Sequence, residues 1–250
     1  MRQLAFLFLV VMCAVTSAHA MGQAEARALF AQSVQVYKEG QFDKAAALDE
    51  KILQGGFESP AVYYNLGNAL FKDKKLGKAI VNYLRAEALA PRDADLKANL
   101  AFARDIVENY QPELPSTGIV RLLTIKRMST GELKWLSLSL FMAIGTFFAV
   151  GLYGAMRPKR IVQVTVLLAT VWLYFTAACV LKAATESSRA VAVRAESARF
   201  EPSVSATSYF KLSEGTEVRL LRTQDSWAKI ERTDGRSAWV PVNSLEKVFP

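Results

Sequence analysis

Two uncharged apolar runs constrain this chain more than anything else in it. Residues 135–156, WLSLSLFMAIGTFFAVGLYGAM, and residues 161–181, IVQVTVLLATVWLYFTAACVL, each lack any Asp, Glu, Lys or Arg. Each has the ~20 residues that an α-helix needs to cross the hydrocarbon core of a bilayer. Only Arg157, Pro158, Lys159 and Arg160 separate them. The expectation is an antiparallel membrane hairpin with residues 157–160 as its turn, so that the segments before and after it share one side. Pro158 is the residue that keeps the two runs from becoming one long helix. Two buried helices of a soluble domain would need more apolar protein around them than the chain supplies. Ser129 and Glu132 form a capping box ahead of the first run. Trp135 and Tyr153 sit near its ends, where interfacial aromatics are favoured. Gly151 and Ala155 offer a small-residue edge for close helix contact.

The N-terminal MRQLAFLFLVVMCAVTSAHA has one basic residue, an apolar core and a terminal Ala18-His19-Ala20. That is the pattern of a secretory signal over residues 1–20; the competing reading is a buried N-terminal helix. Cys13 follows Val11-Met12 rather than small residues, which argues against a lipoprotein site. Removing the segment takes away His19 and Cys13, the only histidine and one of two cysteines. Cys179 then stands alone in an apolar run, so no intramolecular disulfide can form. Zinc sites of His and Cys, and Ser-His, Cys-His or histidine acid–base catalysis, are likewise ruled out. Carboxylate or lysine chemistry stays open, but the expectation is a non-enzymatic protein without a cofactor.

The formal net charge is +8. Residues 21–114 nearly balance, and the excess lies at 115–134 and in Arg157, Lys159 and Arg160. Nucleic-acid binding asks for a basic folded face. Here the positive charge flanks apolar runs, which points to the lipid bilayer as partner and not to nucleic acid. The positive-inside rule does not fix orientation, because Arg121, Lys126, Arg127, Lys134, Lys182 and Arg189 make the outer flanks as basic in number as the turn. The signal does: it exports residues 21–134, and the hairpin returns the chain to the same side. Both soluble parts are therefore expected in the periplasm of a bacterial inner membrane.

Residues 60–91, PAVYYNLGNALFKDKKLGKAIVNYLRAEALAP, carry a helical pattern in two halves. Tyr63, Leu66 and Leu70 make one face; Tyr83 and Ala86 make the matching face of a second helix. Gly67 and Ala79 are small where the two would cross, and Pro91 ends the unit. This spacing resembles the tetratricopeptide repeat. A shift of 34 residues back gives a degenerate copy with Leu29, Ser33, Val36, Gly40, Ala45 and Ile52, in which Asp49 stands where an aromatic is usual. A shift forward gives one further helix over 93–109, read as a solenoid cap. The resemblance implies a peptide-binding concave face on Arg27, Phe30, Val34, Tyr37, Lys38, Tyr64, Asn65, Asn68, Phe71, Lys72 and Asn99. A short bundle whose polar residues only keep it soluble is the alternative. The following segment, 111–134, opens with two prolines. Ile119, Leu122, Leu123, Ile125 and Met128 then alternate with Arg121, Lys126 and Arg127, suiting either a plain linker or a helix on the membrane surface.

After a short linker, 182–187, the composition changes. GTEVRLL, SWAKIERT and SAWVPV read as short strands. Asp234-Gly235 is a hairpin turn between the last two. Pro241 breaks the last strand before a turn at Val242–Leu245. Glu214-Gly215, Trp227, Asp234-Gly235 and Trp239-Val240 give residues 188–250 a resemblance to bacterial SH3-like domains. That resemblance implies a small barrel with a peptide or glycan groove at Arg199, Trp227 and Trp239, although a tryptophan of such a barrel often belongs to the core. Glu201 replaces the glycine usual in the first loop, Arg199-Phe200-Glu201-Pro202-Ser203.

The expected fold class is multidomain: an all-α tetratricopeptide solenoid over 21–110, two transmembrane helices, and an all-β SH3-like barrel. In that order the parts resemble the BatE-type proteins of the Bat (aerotolerance) group. The resemblance implies a scaffold or adaptor for envelope proteins, beside membrane proteins with von Willebrand A domains and a MoxR-type ATPase system. A cell-wall (peptidoglycan) anchor is the alternative, and a wall-active enzyme a more distant one.

Overall fold

The structure is a computed structural model that describes residues 21–108, 128–153 and 158–249. The signal segment 1–20, most of the 111–134 linker, and Ala155 and Arg157 lie outside the described residues. Among the described residues five helices come first: α1 (Gln23–Lys38), α2 (Phe42–Gln54), α3 (Pro60–Lys72), α4 (Leu76–Leu89) and α5 (Ala94–Ile106). Their starts are encoded locally. The Ser59 side chain accepts the Val62 N–H at 3.2 Å, with Pro60 as the first helical residue. The Asp93 side chain accepts the Leu96 N–H at 3.0 Å. Each satisfies a donor that the first helical turn leaves free. The α1–α2 and α3–α4 turns pass through left-handed residues 34 positions apart, Gly40 with φ of 79° and Lys74 with φ of 61°. Gly67 permits the α3–α4 crossing, since a Cβ there would lie 2.6 Å from the Tyr83 ring.

Two long helices follow, α6 (Thr130–Tyr153) and α7 (Pro158–Ser187). Both are long and apolar enough to cross a membrane, with mean hydropathy of 1.7 and 2.1 over an 18-residue window within Thr130–Gly151 and Lys159–Ser187 respectively. α6 starts before residue 135 and α7 runs past both limits of 161–181, because helix continues through polar flanks, while the described part of α6 stops at Tyr153. The capping box forms as expected: Ser129 N–H donates to Glu132 at 2.7 Å and Glu132 N–H to the Ser129 hydroxyl at 3.1 Å. The helices pack antiparallel. Leu133 and Ala178 are buried together, and Ser137 and Thr176 share a hydrogen bond of 2.9 Å. The Phe141 and Trp172 rings lie 5.6 Å apart. Gly151 packs so closely on Ile161 that a Cβ would come within 3.2 Å of it. Pro158 opens α7, and Lys159 and Arg160 are exposed in its first turn.

Seven strands complete the chain: β1 (Arg189–Ala192), β2 (Glu196–Arg199), β3 (Ser208–Leu212), β4 (Glu217–Gln224), β5 (Trp227–Glu231), β6 (Ser237–Pro241) and β7 (Leu245–Lys247). They form one antiparallel sheet in the order β3-β2-β6-β5-β4-β1-β7. Its core face buries Ala190, Ala198, Leu212, Ala228, Ile230 and Val240. Gly235, with φ of 81°, makes the β5–β6 turn.

The expected fold class needs correction in two places. The sheet is open rather than a closed SH3-like barrel, because β3 and β7 are its two edges and do not pair with one another. Irregular registers at Ala198/Arg199 and Leu220/Arg222 bend it without closing it. The five helices are also not a clear tetratricopeptide solenoid, because α4 and α5 pack on the sheet instead of on further repeats. Val191 and Val248 share one buried cluster with Ile80, Leu84 and Val107, and Phe249 packs against it. A Cβ at Gly77 would lie 2.3 Å from the Ala192 carbonyl oxygen. The Gly77 N–H donates to Glu214 at 2.9 Å, and Arg85 donates to the Val248 and Lys247 carbonyls at 2.8 and 3.0 Å. Two modules that read separately in sequence thus fold onto a common core.

Candidate functional site

The exposed side of α1, α3 and α5 is hollowed into two adjoining recesses. One, of about 180 Å³, is lined by Ser33, Val34, Tyr37, Lys38, Asn65 and Asn68. The other, of about 350 Å³, is lined by Tyr37, Tyr64, Asn68, Phe71, Lys72, Tyr83, Asn99 and Phe102. Tyr37 and Asn68 belong to both, so the recesses form one continuous groove. Helical spacing explains the lining. Tyr64, Asn65, Asn68, Phe71 and Lys72 recur three or four residues apart on one face of α3.

A polar network fixes the centre of the groove. Asn68 Oδ1 accepts from the Tyr83 hydroxyl at 2.8 Å and from Asn99 Nδ2 at 3.0 Å. Asn99 Nδ2 also donates to the Tyr64 hydroxyl at 2.8 Å. Each of these side chains is thereby held in one orientation. Asn68 Nδ2, Asn99 Oδ1 and the whole Asn65 amide stay available to donate and accept. Phe71 and Phe102 lie 5.8 Å apart and supply an apolar wall. Lys38 and Lys72, each the last residue of its helix, set positive charge along one rim. Burial raises the Tyr37 and Tyr83 hydroxyls above the ordinary tyrosine range, so both remain neutral donors in water.

Beneath Ser33 lies Asp49, fully buried and with neither carboxylate oxygen hydrogen-bonded. Burial lifts it to about 7, and the nearby Ser33 hydroxyl offsets part of that rise. Asp49 and Ser33 stand 34 residues before Tyr83 and Gly67. Where Tyr83 fills its crossing and bonds into the groove, Asp49 is too short to do the same.

Nine of the eleven groove residues expected from the sequence, Val34, Tyr37, Lys38, Tyr64, Asn65, Asn68, Phe71, Lys72 and Asn99, line the groove. Arg27 and Phe30 do not; Phe30 packs beside Ala26, Ile52 and Val62 at the outer end of the bundle. Sequence reasoning missed Ser33, Tyr83 and Phe102. The spacing of Tyr83 predicts packing alone, although a phenol at a helix crossing carries its hydroxyl through to the far side. Phe102 is 60% exposed and lies three residues after Asn99, a spacing that places both on one face.

The sheet residues meet differently. Arg199 of β2 pairs in register with Trp239 of β6, and Lys229 of β5 pairs with Trp239 from the other side. Trp227 shares that face. Trp239 is 5% exposed, covered by the Arg222 guanidinium 4.9 Å from its ring centre. Arg199 is occupied by the Ala206 carbonyl at 2.6 Å. Among the described residues no cluster of His, Cys, Asp or Glu is arranged to hold a metal ion.

Where helices meet sheet, Glu217 bridges Arg104 of α5 at 2.6 Å and Arg189 of β1 at 2.5 Å. Burial alone would raise this carboxyl, but the two guanidiniums outweigh it and hold it below the usual range. Comparison with protein-family models, curated proteins and solved structures gives no match in any of the three.

Proposed function

We propose that the chain is a non-enzymatic adaptor anchored in a membrane by α6 and α7, and that its helical groove holds an extended segment of an envelope protein. The observation that carries this is the α1–α3–α5 groove itself. It combines oriented amides with free hydrogen-bonding capacity, an apolar wall at Phe71 and Phe102, and a lysine rim. Amides of this kind suit a polypeptide backbone, and aromatic walls suit its side chains. The α6–α7 hairpin supports keeping both soluble parts on one side of the bilayer, which the N-terminal signal assigns to the bacterial periplasm. The partner class is a protein held in or near the same membrane. The resemblance to BatE-type proteins adds von Willebrand A domain proteins and a MoxR-type ATPase system to that class. A peptidoglycan-anchoring role has weaker support, because Trp239 is capped and Arg199 is already bonded.

The test uses the intact chain solubilised in detergent, beside a Phe71→Ala/Asn99→Ala variant, each as bait for membrane and periplasmic extract. The reading expects a defined envelope protein retained by the parent and lost by the variant. Recovery of general chaperones only, or of the same proteins by both baits, would reject it.

A further inference from the structure

One like-charged pair in the sheet has no carboxylate partner among the described residues, and the only side chain set against it is the Trp239 ring under Arg222. β4 and β5 are antiparallel, and Arg222 faces Lys229 directly across the ladder. Like charges in that relation destabilise a sheet unless something opposes them. The same sheet shows the ordinary remedy. Arg189 faces Arg219, but Arg189 is paired with Glu217 at 2.5 Å and Arg219 with Glu231 at 3.0 Å. No carboxylate lies within ion-pair distance of Arg222 or Lys229 among the described residues. Leu221, beside them, is 46% exposed, and Trp227 is half-buried at the end of the same hairpin. Two cations without a carboxylate partner, Arg222 resting on the Trp239 ring and Lys229 beside it, flanked by an exposed leucine and a tryptophan, match an anionic, partly apolar surface.

The chain path says which surface lies within reach. Only Ser188 separates the end of α7 from β1. The apolar run of α7 ends at Leu181, so Lys182–Ser187 carries the chain about 9 Å beyond the hydrocarbon at 1.5 Å per residue. The Leu220 N–H donates to the Ser188 carbonyl at 2.7 Å. Because β4 runs antiparallel to β1, the residues after Leu220 head back toward the side from which α7 delivers the chain. Leu220 to Gln224 covers about 13 Å at the rise of a strand. That length exceeds the rise of Lys182–Ser187, so the β4–β5 tip is within reach of the headgroup layer.

We propose that the β4–β5 tip docks on anionic phospholipid headgroups of the bilayer that holds α6 and α7, with Arg222 and Lys229 facing the phosphates and Leu221 and Trp227 entering the interface. The inference rests on α6 and α7 spanning that bilayer. Tryptophan is favoured at that depth, and basic residues at a surface are attracted to anionic lipid. Docking at this point fixes the sheet, and the helical groove packed on it, at a set height and tilt above the membrane.

The test reconstitutes the intact chain in nanodiscs, with Cys179→Ser and a nitroxide on Ser226→Cys in the β4–β5 turn. A second label on Val166→Cys reports the span. In discs containing phosphatidylglycerol, a water-soluble relaxant should reach the turn label severalfold less than in phosphatidylcholine discs. Arg222→Glu/Lys229→Glu should remove the difference, and the milder Lys229→Glu alone should reduce it. Equal access in both discs, or protection in neutral discs that survives charge reversal, would overturn the proposal. Protection reproduced in neutral discs by added inorganic phosphate would assign the pair to a free anion and overturn it too. A water-accessible Val166 label would instead refute the spanning helices, and the docking with them.

Discussion

Asp49 makes the α1–α2 pair sensitive to pH in a calculable way. Its carboxyl is fully buried without a hydrogen bond and titrates at about 7, against an ordinary 3.8. A raised acid pKa means that the folded state keeps its proton while the unfolded chain loses it. Stability is therefore greatest below the ordinary value, declines as pH rises from 3.8 to about 7, and levels off above that. About three pH units correspond to about 4 kcal/mol across the whole window, at ~1.4 kcal/mol per unit. Between pH 5 and pH 8 the loss should be about 2–3 kcal/mol. Hydrogen exchange of the intact chain, read on peptides from α1 and α2 and corrected for intrinsic rate, should show protection falling ~30–150-fold over that interval. Asp49→Asn should flatten the profile, because an amide does not titrate. Protection that stays level in the parent, or a slope that persists in the variant, would refute the account of Asp49.

Three further outcomes follow from the packing. Glu217→Ala should loosen the sheet from α5, on the order of 3 kcal/mol as for other broken buried ion pairs, and quicken proteolysis at the helix–sheet junction. In the parent, this depressed carboxyl contributes stability at neutral pH that is lost as pH falls below the ordinary Glu range, a sign opposite to that of Asp49. Gly77→Ala sets a methyl against the backbone at Ala192 and Val193, so it should separate the two units more than Gly67→Ala, whose neighbour is the Tyr83 side chain; denaturant titration of the two variants checks the order. Gly151→Leu should force α6 from α7 at Ile161 and lower the thermal stability of the detergent-solubilised protein.

Much of this architecture is written in local pattern. The apolar runs at 135–156 and 161–181, the Ser129–Glu132 capping box and the crossing at Gly67 each follow from spacing that a few residues encode. The groove was legible for the same reason, since Tyr64, Asn65, Asn68 and Phe71 share a helical face. What the sequence concealed depends on contacts between distant segments. Nothing near Gly77 or Arg85 announces that β1 and β7 will pack on α4, so the helices read as a free repeat array. Nothing near Leu212 or Lys247 states that β3 and β7 remain unpaired edges, so the strands read as a barrel. The cover over Trp239 is hidden in the same way, because Arg222 comes from another strand.

The adaptor reading is tested most directly inside cells. A photo-crosslinking residue placed at Asn65, with Glu39 at the exposed end of α1 as a control position, should capture one envelope protein from the groove position only. That product should disappear in the Phe71→Ala/Asn99→Ala background while the chain remains membrane-integrated. Capture of the same partner from both positions, or no capture at Asn65 by a properly inserted chain, would contradict the groove as a binding site.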